Sequence, residues 1–154
     1  MRQPTVFVLL LTAILTISCG EFRQNTASVK LRNEVFSASE SLYLRVNITN
    51  PGKKNIIYFT ARFSNAFIMT SLPLSVLYIS PEGKRYSDTV TLYLNQYDKN
   101  TEFVRNGNWR DYRWLYRNGV IFPEKGVWLI SVKNTHIKNV YGVKELGISL
   151  KQNR

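Results

Sequence analysis

Along most of the chain the apolar positions repeat every second residue. In "SLYLRVNIT" (41–49), Leu42, Leu44, Val46 and Ile48 fall on one side, while Ser41, Tyr43, Arg45, Asn47 and Thr49 fall on the other. An extended strand points alternate side chains to opposite faces, so this stretch predicts a half-buried β-strand. Asn50-Pro51-Gly52-Lys53 follows as a turn, because proline presets one backbone angle and glycine accepts the positive one. The chain is then expected to return through "NIIYFTARF" (55–63), with Ile57, Phe59, Ala61 and Phe63 facing inward. A second hairpin is expected from "LSVLYIS" (74–80) through Pro81-Glu82-Gly83-Lys84 to "YSDTVTLYL" (86–94), with Val90, Leu92 and Leu94 on its core face. Pro123-Glu124-Lys125-Gly126 introduces "VWLISVK" (127–133), where Trp128, Ile130 and Val132 share a face, and "ELGISLK" (145–151) closes with Leu146, Ile148 and Leu150. Residues 95–111, "NQYDKNTEFVRNGNWRD", are polar and predict a long surface loop. Seven or eight strands separated by turn residues predict an all-β fold, an antiparallel two-sheet β-sandwich of immunoglobulin-like or jelly-roll-like type.

The first residues follow a different pattern. Met1-Arg2-Gln3-Pro4 is a short positive start, and Val6 to Ile17 forms an apolar run of about twelve residues, too short for a membrane span of roughly 20. This is the layout of a secretory signal. The run ends at Ser18-Cys19, and Cys19 is the only cysteine in the chain. A lone thiol forms no internal disulfide, and the chain lacks the clustered ligands of a structural metal site. A small residue followed by cysteine is the junction at which bacterial lipoproteins receive diacylglycerol on the thiol and are cleaved. Residues 1–18 are therefore expected to be a lipoprotein signal peptide, 19–28 the lipidated cysteine and a polar tether, and 29–154 the β domain. Two or three acyl chains make such attachment effectively permanent, so the membrane is the first expected partner, reached through lipid on Cys19. Gly20-Glu21 lacks the Asp after the cysteine that would suggest inner-membrane retention. A location in the cell envelope, at the outer membrane facing the periplasm, is expected.

The formal charge of +11 changes the picture of partners. Such a balance suits acidic partners. Export argues against nucleic acid and towards anionic envelope components such as lipid head groups and lipopolysaccharide.

No catalytic set is evident. His136 is the only histidine, Cys19 is committed to lipid, and Asp88, Asp98, Glu102, Asp111 and Glu124 are scattered among turns and basic residues. No enzyme activity, metal or cofactor is expected. The densest cluster of binding-type residues is "NWRDYRWLYRNG" (108–119), which sets Trp109, Tyr112, Trp114 and Tyr116 among Arg110, Arg113 and Arg117. As a strand it would carry Tyr112, Trp114 and Tyr116 on one face and Arg113, Leu115 and Arg117 on the other. Trp, Tyr and Arg dominate protein hot spots and suit sugar stacking, so these seven are candidate contacts for a protein partner or a glycan. The simpler reading makes the aromatic face core and turns the arginines to water.

The ordered segments "LYLRVNITN", "RFSNAF", "LSVLYISPEGKRYSDTVTLYL", "VIFPEKGVWLISV" and "VYGVKELGISLK" resemble the gliding-motility lipoprotein GldH family of the Bacteroidota over residues 41–151. The match runs through Pro81, Gly83, Lys84, Asp88 and Thr89, then Phe122, Pro123, Gly126 and Trp128, and finally Gly142, Val143, Glu145, Leu146 and Gly147, with Cys19 at the lipid position. The resemblance implies a non-catalytic envelope component needed for gliding and linked to type IX secretion, with other machinery proteins as partners. It carries over no catalytic residue and no cofactor. The competing class is a lipid-anchored glycan-binding module.

Overall fold

The computed structural model describes residues 24–153, and their regular structure is almost entirely strand. In chain order these are β1 (Gln24–Lys30), β2 (Val35–Phe36), β3 (Ser41–Ile48), β4 (Lys54–Ser64), β5 (Ser71–Ile79), β6 (Arg85–Tyr93), β7 (Thr101–Asn106), β8 (Trp109–Ile121), β9 (Gly126–Asn134), β10 (Val140–Tyr141) and β11 (Val143–Gln152). A 3-10 turn at Arg32–Glu34 is the sole helical element among the described residues. The ladders are antiparallel and build a five-stranded sheet, β1-β11-β4-β8-β7, and a four-stranded sheet, β3-β9-β5-β6, with β10-β2 as a small ribbon. This is the expected all-β antiparallel sandwich.

Alternation makes the core. Phe59, Phe63, Leu146 and Ile148 of the larger sheet face Leu44, Val46, Val76, Ile130 and Val132 of the smaller one, all of them essentially fully buried. Each such side chain contributes roughly 1.5–3 kcal/mol of transfer free energy. Ile148 is central, paired to Ala27 on one side and Phe59 on the other. Ile148→Ala should therefore cost about 2–5 kcal/mol in urea unfolding. Ile68→Ala should stay within about 0.5 kcal/mol, since Ile68 is 90% exposed. Equal midpoints for the two variants would mean that the sandwich core lies elsewhere.

Three expectations need correction. Strands outnumber the seven or eight expected: nine run to six residues or more, and β2 and β10 are short extras. Residues 95–111 are not one long loop, because β7 and the start of β8 pair within them through Asn106-Gly107-Asn108, with Gly107 at φ +58. The two loop residues are Gly107 and Asn108, and glycine at the first of them with positive φ is the mark of a tight type II′ hairpin turn. As an edge strand β7 needs only Phe103 facing the core, which is why its composition reads as polar. Finally, residues 24–28 of the expected tether belong to β1, which pairs with β11 from Gln24↔Lys151 to Lys30↔Glu145. Backbone pairing holds this strand, with only Ala27 and Val29 packing against the core. The expected signal peptide and Cys19 lie outside the described residues.

Candidate functional site

The two sheets meet differently at their two margins. On one side the Asn25 side-chain amide donates to the Asn47 carbonyl, linking β1 to β3. On the other, β8 reaches across to β6: Trp114 Nε1 donates to the Tyr93 carbonyl at 2.8 Å, and Tyr116 and Arg117 both bond to the Asp88 carboxylate. The second link depends on a bulge. Opposite β4 the register runs Tyr58↔Leu115 and then Ile57↔Arg117, so β8 carries one extra residue there. A bulge breaks strict alternation, and here it brings Tyr116 and Arg117 to one carboxylate. Strict alternation would place Arg117 on the opposite face from Tyr116.

Asp88 is thus the centre of a charged node between the sheets. Burial would raise its pKa, but the Tyr116 hydroxyl, the Arg117 guanidinium and the Thr89 amide hold the carboxyl below the usual range. Burial pushes the Tyr116 hydroxyl up. Tyr78, cross-strand from Tyr86, has a hydroxyl that is buried without a well-formed hydrogen bond. Its pKa is driven far above the ordinary phenol range, by burial first and by Tyr116 next.

Next to this node two turns lock together. In the first, the Gly83 amide donates to the Ser80 carbonyl at 2.9 Å. In the second, Glu124 accepts from the Glu82 amide at 3.1 Å and from Lys84 Nζ at 3.0 Å. The Glu124 carboxyl lies below its ordinary range because Ser80 and Lys84 hydrogen-bond its charged form. Gly126 lets the second turn approach Pro81, since a β-carbon there would stand 3.1 Å from the proline Cγ. Trp128, the third residue of β9, donates from Nε1 to the Glu124 carbonyl at 3.0 Å.

Between the turns and the node opens a cavity of about 520 Å³. Its walls are aromatic. Tyr86 stacks on Trp128 with ring centroids 6.1 Å apart and 29° between planes, and Phe122 meets Trp128 edge-on at 5.0 Å. Tyr86 is 46% exposed at the mouth. Asp88, Arg117 and the Tyr78 side chain supply the polar groups. A mostly apolar concavity with a few convergent polar side chains is the usual form of a small-ligand site.

The seven candidates from 109–117 do not form one surface. Tyr112 and Trp114 stack at 5.3 Å with 9° between planes, and each is only 6% exposed, so this pair is core. Tyr116 is half-buried at the Asp88 node, and Arg117 lies beside it, partly in solvent. Arg113 lies on the outer face of the larger sheet, 3.8 Å over the Tyr58 ring, and pairs with Glu102 at 3.2 Å. Trp109 is on that outer face too, covered by Lys144 Nζ at 3.4 Å from its ring centroid. Arg110 is turned inward instead of to water: its Nη2 donates to the carbonyls of Ser64 and Phe67, at 3.1 and 2.6 Å. The cavity-lining Tyr78, Tyr86 and Phe122 were outside the candidate set, because in sequence they read as strand and turn positions of two separate hairpins.

Catalytic-type groupings are not gathered in the described residues. No cluster of three or more His, Cys, Asp or Glu is arranged to hold a metal there. Asp111 is engaged with Arg62 through two bonds of 2.6 and 2.9 Å, and His136 follows β9 in a loop, its amide donating to Asn134.

No family model and no curated protein matches the chain. Among solved structures it is similar to a carbohydrate-binding module specific for non-crystalline cellulose, CBM28, with TM-score 0.49 and 9% identity over 82% of this chain and 74% of that one. It is also similar to a CBM35 module in complex with a glucuronic acid-containing disaccharide, with TM-score 0.43 and 11% identity over 82% and 78%. A third is the CBM22-1 and GH10 portion of a Clostridium thermocellum xylanase complexed with xylohexaose, with TM-score 0.42 and 16% identity over 85% of this chain and 26% of that one. Similarities of this size do not reach ligand or activity.

Proposed function

We propose that this chain is a non-catalytic binding module, held at the outer membrane by lipid on Cys19, that takes glycan into the aromatic cavity at the end formed by the two proline turns. The observation that carries this reading is the Tyr86–Trp128 stack set beside Asp88 and Arg117 in one open cavity. A sugar ring has an apolar C–H face, which packs on aromatic rings, and a rim of hydroxyls, which need polar partners such as carboxylate and guanidinium. The buried 112/114 pair takes no part in it.

A second reading is supported by the locations of the residues that carry the family resemblance. Pro81, Lys84, Asp88, Phe122, Pro123, Gly126 and Trp128 come from two separate stretches and gather around this same cavity and its turns. On that reading the same end serves a gliding or type IX secretion-linked assembly, with a machinery protein as partner.

The test is binding of the full chain to a panel of envelope polysaccharides, repeated with Tyr86→Ala. Tyr86 is half exposed, so its loss should leave the fold intact while weakening glycan binding at least about tenfold, the scale of one lost stacking contact and its buried apolar area. Deletion of the gene from its host reads the other role. Absence of glycan binding, with loss of colony spreading and of surface adhesins on deletion, would reject the first reading in favour of the second.

A further inference from the structure

The margin between β6 and β8 has a second opening, at the end away from the proline turns. There the segment after β6 crosses the β7–β8 hairpin and leaves a cleft of about 440 Å³ lined by Asn95, Gln96, Tyr97, Arg105, Arg110 and Tyr112 among others. Its charge is one-sided. Arg105 and Arg110 are directly opposite one another across the β7–β8 ladder, which brings their β-carbons to about 4.5–5.5 Å. Like charges so paired repel, and elsewhere on this sheet the cross-strand arginines have acidic partners: Arg62 with Asp111 and Arg113 with Glu102. The cleft lining holds no carboxylate. Arg105 makes no ion pair among the described residues, and Arg110 keeps a buried Nε without a partner while its Nη2 is anchored to two carbonyls. Burial pushes the Tyr112 hydroxyl above the ordinary phenol range, while the Arg110 and Arg105 charges act on it in the opposite direction, so both guanidinium groups bear on that oxygen.

We propose that this cleft is an anion site for a phosphoryl group, bound between Arg105 and Arg110 with the Tyr112 hydroxyl as a further donor. The Arg105 fork, the Arg110 Nη1 left over from the two carbonyl bonds of Nη2, and the Tyr112 hydroxyl are three donor groups on two strands. A phosphoryl group presents three terminal oxygens and matches them. Anchoring Arg110 Nη2 to the Ser64 and Phe67 carbonyls fixes the direction of Nη1 in advance, which lowers the ordering cost of binding. The phosphoryl group could arrive free or on a lipid headgroup. This site is separate from the glycan cavity and does not depend on it.

The experiment is isothermal titration of the full chain in neutral detergent with inorganic phosphate, and in a second arm with phosphatidic acid in mixed micelles. Saturable binding is expected in at least one arm, and binding only to phosphatidic acid identifies the headgroup as the source. Arg105→Gln, at an exposed edge-strand position, should weaken it at least tenfold. Tyr112→Phe, which keeps the ring and its stack, should weaken it several-fold. Arg45→Gln removes an exposed charge from the other sheet and should leave it unchanged. Lack of saturation in both arms, or equal losses for Arg105→Gln and Arg45→Gln, would overturn the proposal in favour of diffuse attraction to a basic protein.

Discussion

Gly142→Ala should destabilise the domain by more than about 3 kcal/mol, whereas Gly83→Ala should cost only about 1–2 kcal/mol, the price of the left-handed conformation alone. The two glycines have nearly the same backbone angle, φ +83 and φ +85. Their surroundings differ. A β-carbon on Gly83 would meet nothing within 4 Å, while one on Gly142 would stand 2.2 Å from the Phe67 backbone nitrogen and 2.7 Å from its Cα. Gly142 is not free to move away, since its amide donates to the Glu34 carbonyl at 2.8 Å and its carbonyl accepts from the Ser64 amide at 2.9 Å. Relief would therefore have to come from the backbone around Phe67, whose ring packs on Phe63 at 4.2 Å in the core. Urea unfolding of both variants measures the difference. If they lie within about 0.5 kcal/mol of each other, the close approach of 142 to 67 is not real.

Strands with one face in the core and one in water are legible in the sequence, because the pleat imposes a period of two and burial forces the apolar residues onto alternate positions. Leu44, Val46 and Ile48 show it in β3, as do Ile57, Phe59 and Ala61 in β4. The signal fades at edges. β7 turns Phe103 inward but also Arg105, whose charge lies at the end of the sandwich in the cleft, so an inward position there is not an apolar one. The Gly107-Asn108 corner is the available clue, inside a stretch whose polarity predicts a loop. In β1 the inward residues are Asn25, Ala27 and Val29, too small and too few to stand out from a tether.

The site was less legible than the fold, for a geometrical reason. Residues 109–117 are the richest in Trp, Tyr and Arg, but a strand in the middle of a sandwich sheet turns its aromatics into the core. Tyr112 and Trp114 do so on the face opposite Arg113. The bulge at Tyr116 and Arg117 has no glycine or proline at the extra residue to announce it, and it decides where Arg117 points. The cavity is assembled from Tyr86 after one turn, Phe122 and Trp128 around another, and Arg117 from a third strand. Only the packing of the Pro81 turn on the Pro123 turn brings them together, and that contact has no local sequence signature.

Membrane attachment should depend on one atom, the Cys19 sulfur. Each buried methylene adds about 0.8 kcal/mol, and a single acyl chain still partitions reversibly, with a constant near 10⁴ M⁻¹. Two or three chains on one cysteine multiply such constants and hold the protein for its lifetime. No described helix is long and apolar enough to cross a membrane. The formal charge, +11 less the one of Arg2, supplies a weaker attachment to anionic lipid, which about 1 M salt suppresses by shortening the screening length to roughly 3 Å. Wild-type protein should therefore stay with membranes through a high-salt wash and leave only with detergent. Replacement of residues 1–19 by a signal that is cleaved without lipidation should move it almost wholly to the soluble phase. Cys19→Ser should abolish incorporation of labelled fatty acid, a readout that an uncleaved apolar leader cannot imitate. The β domain begins at Gln24 and owes none of its core to the lipid, so the released form should unfold at the same urea concentration as the anchored one. Retention of the unlipidated form on membranes at high salt would show that the β domain itself binds the bilayer, and the lipid on Cys19 would no longer explain its location.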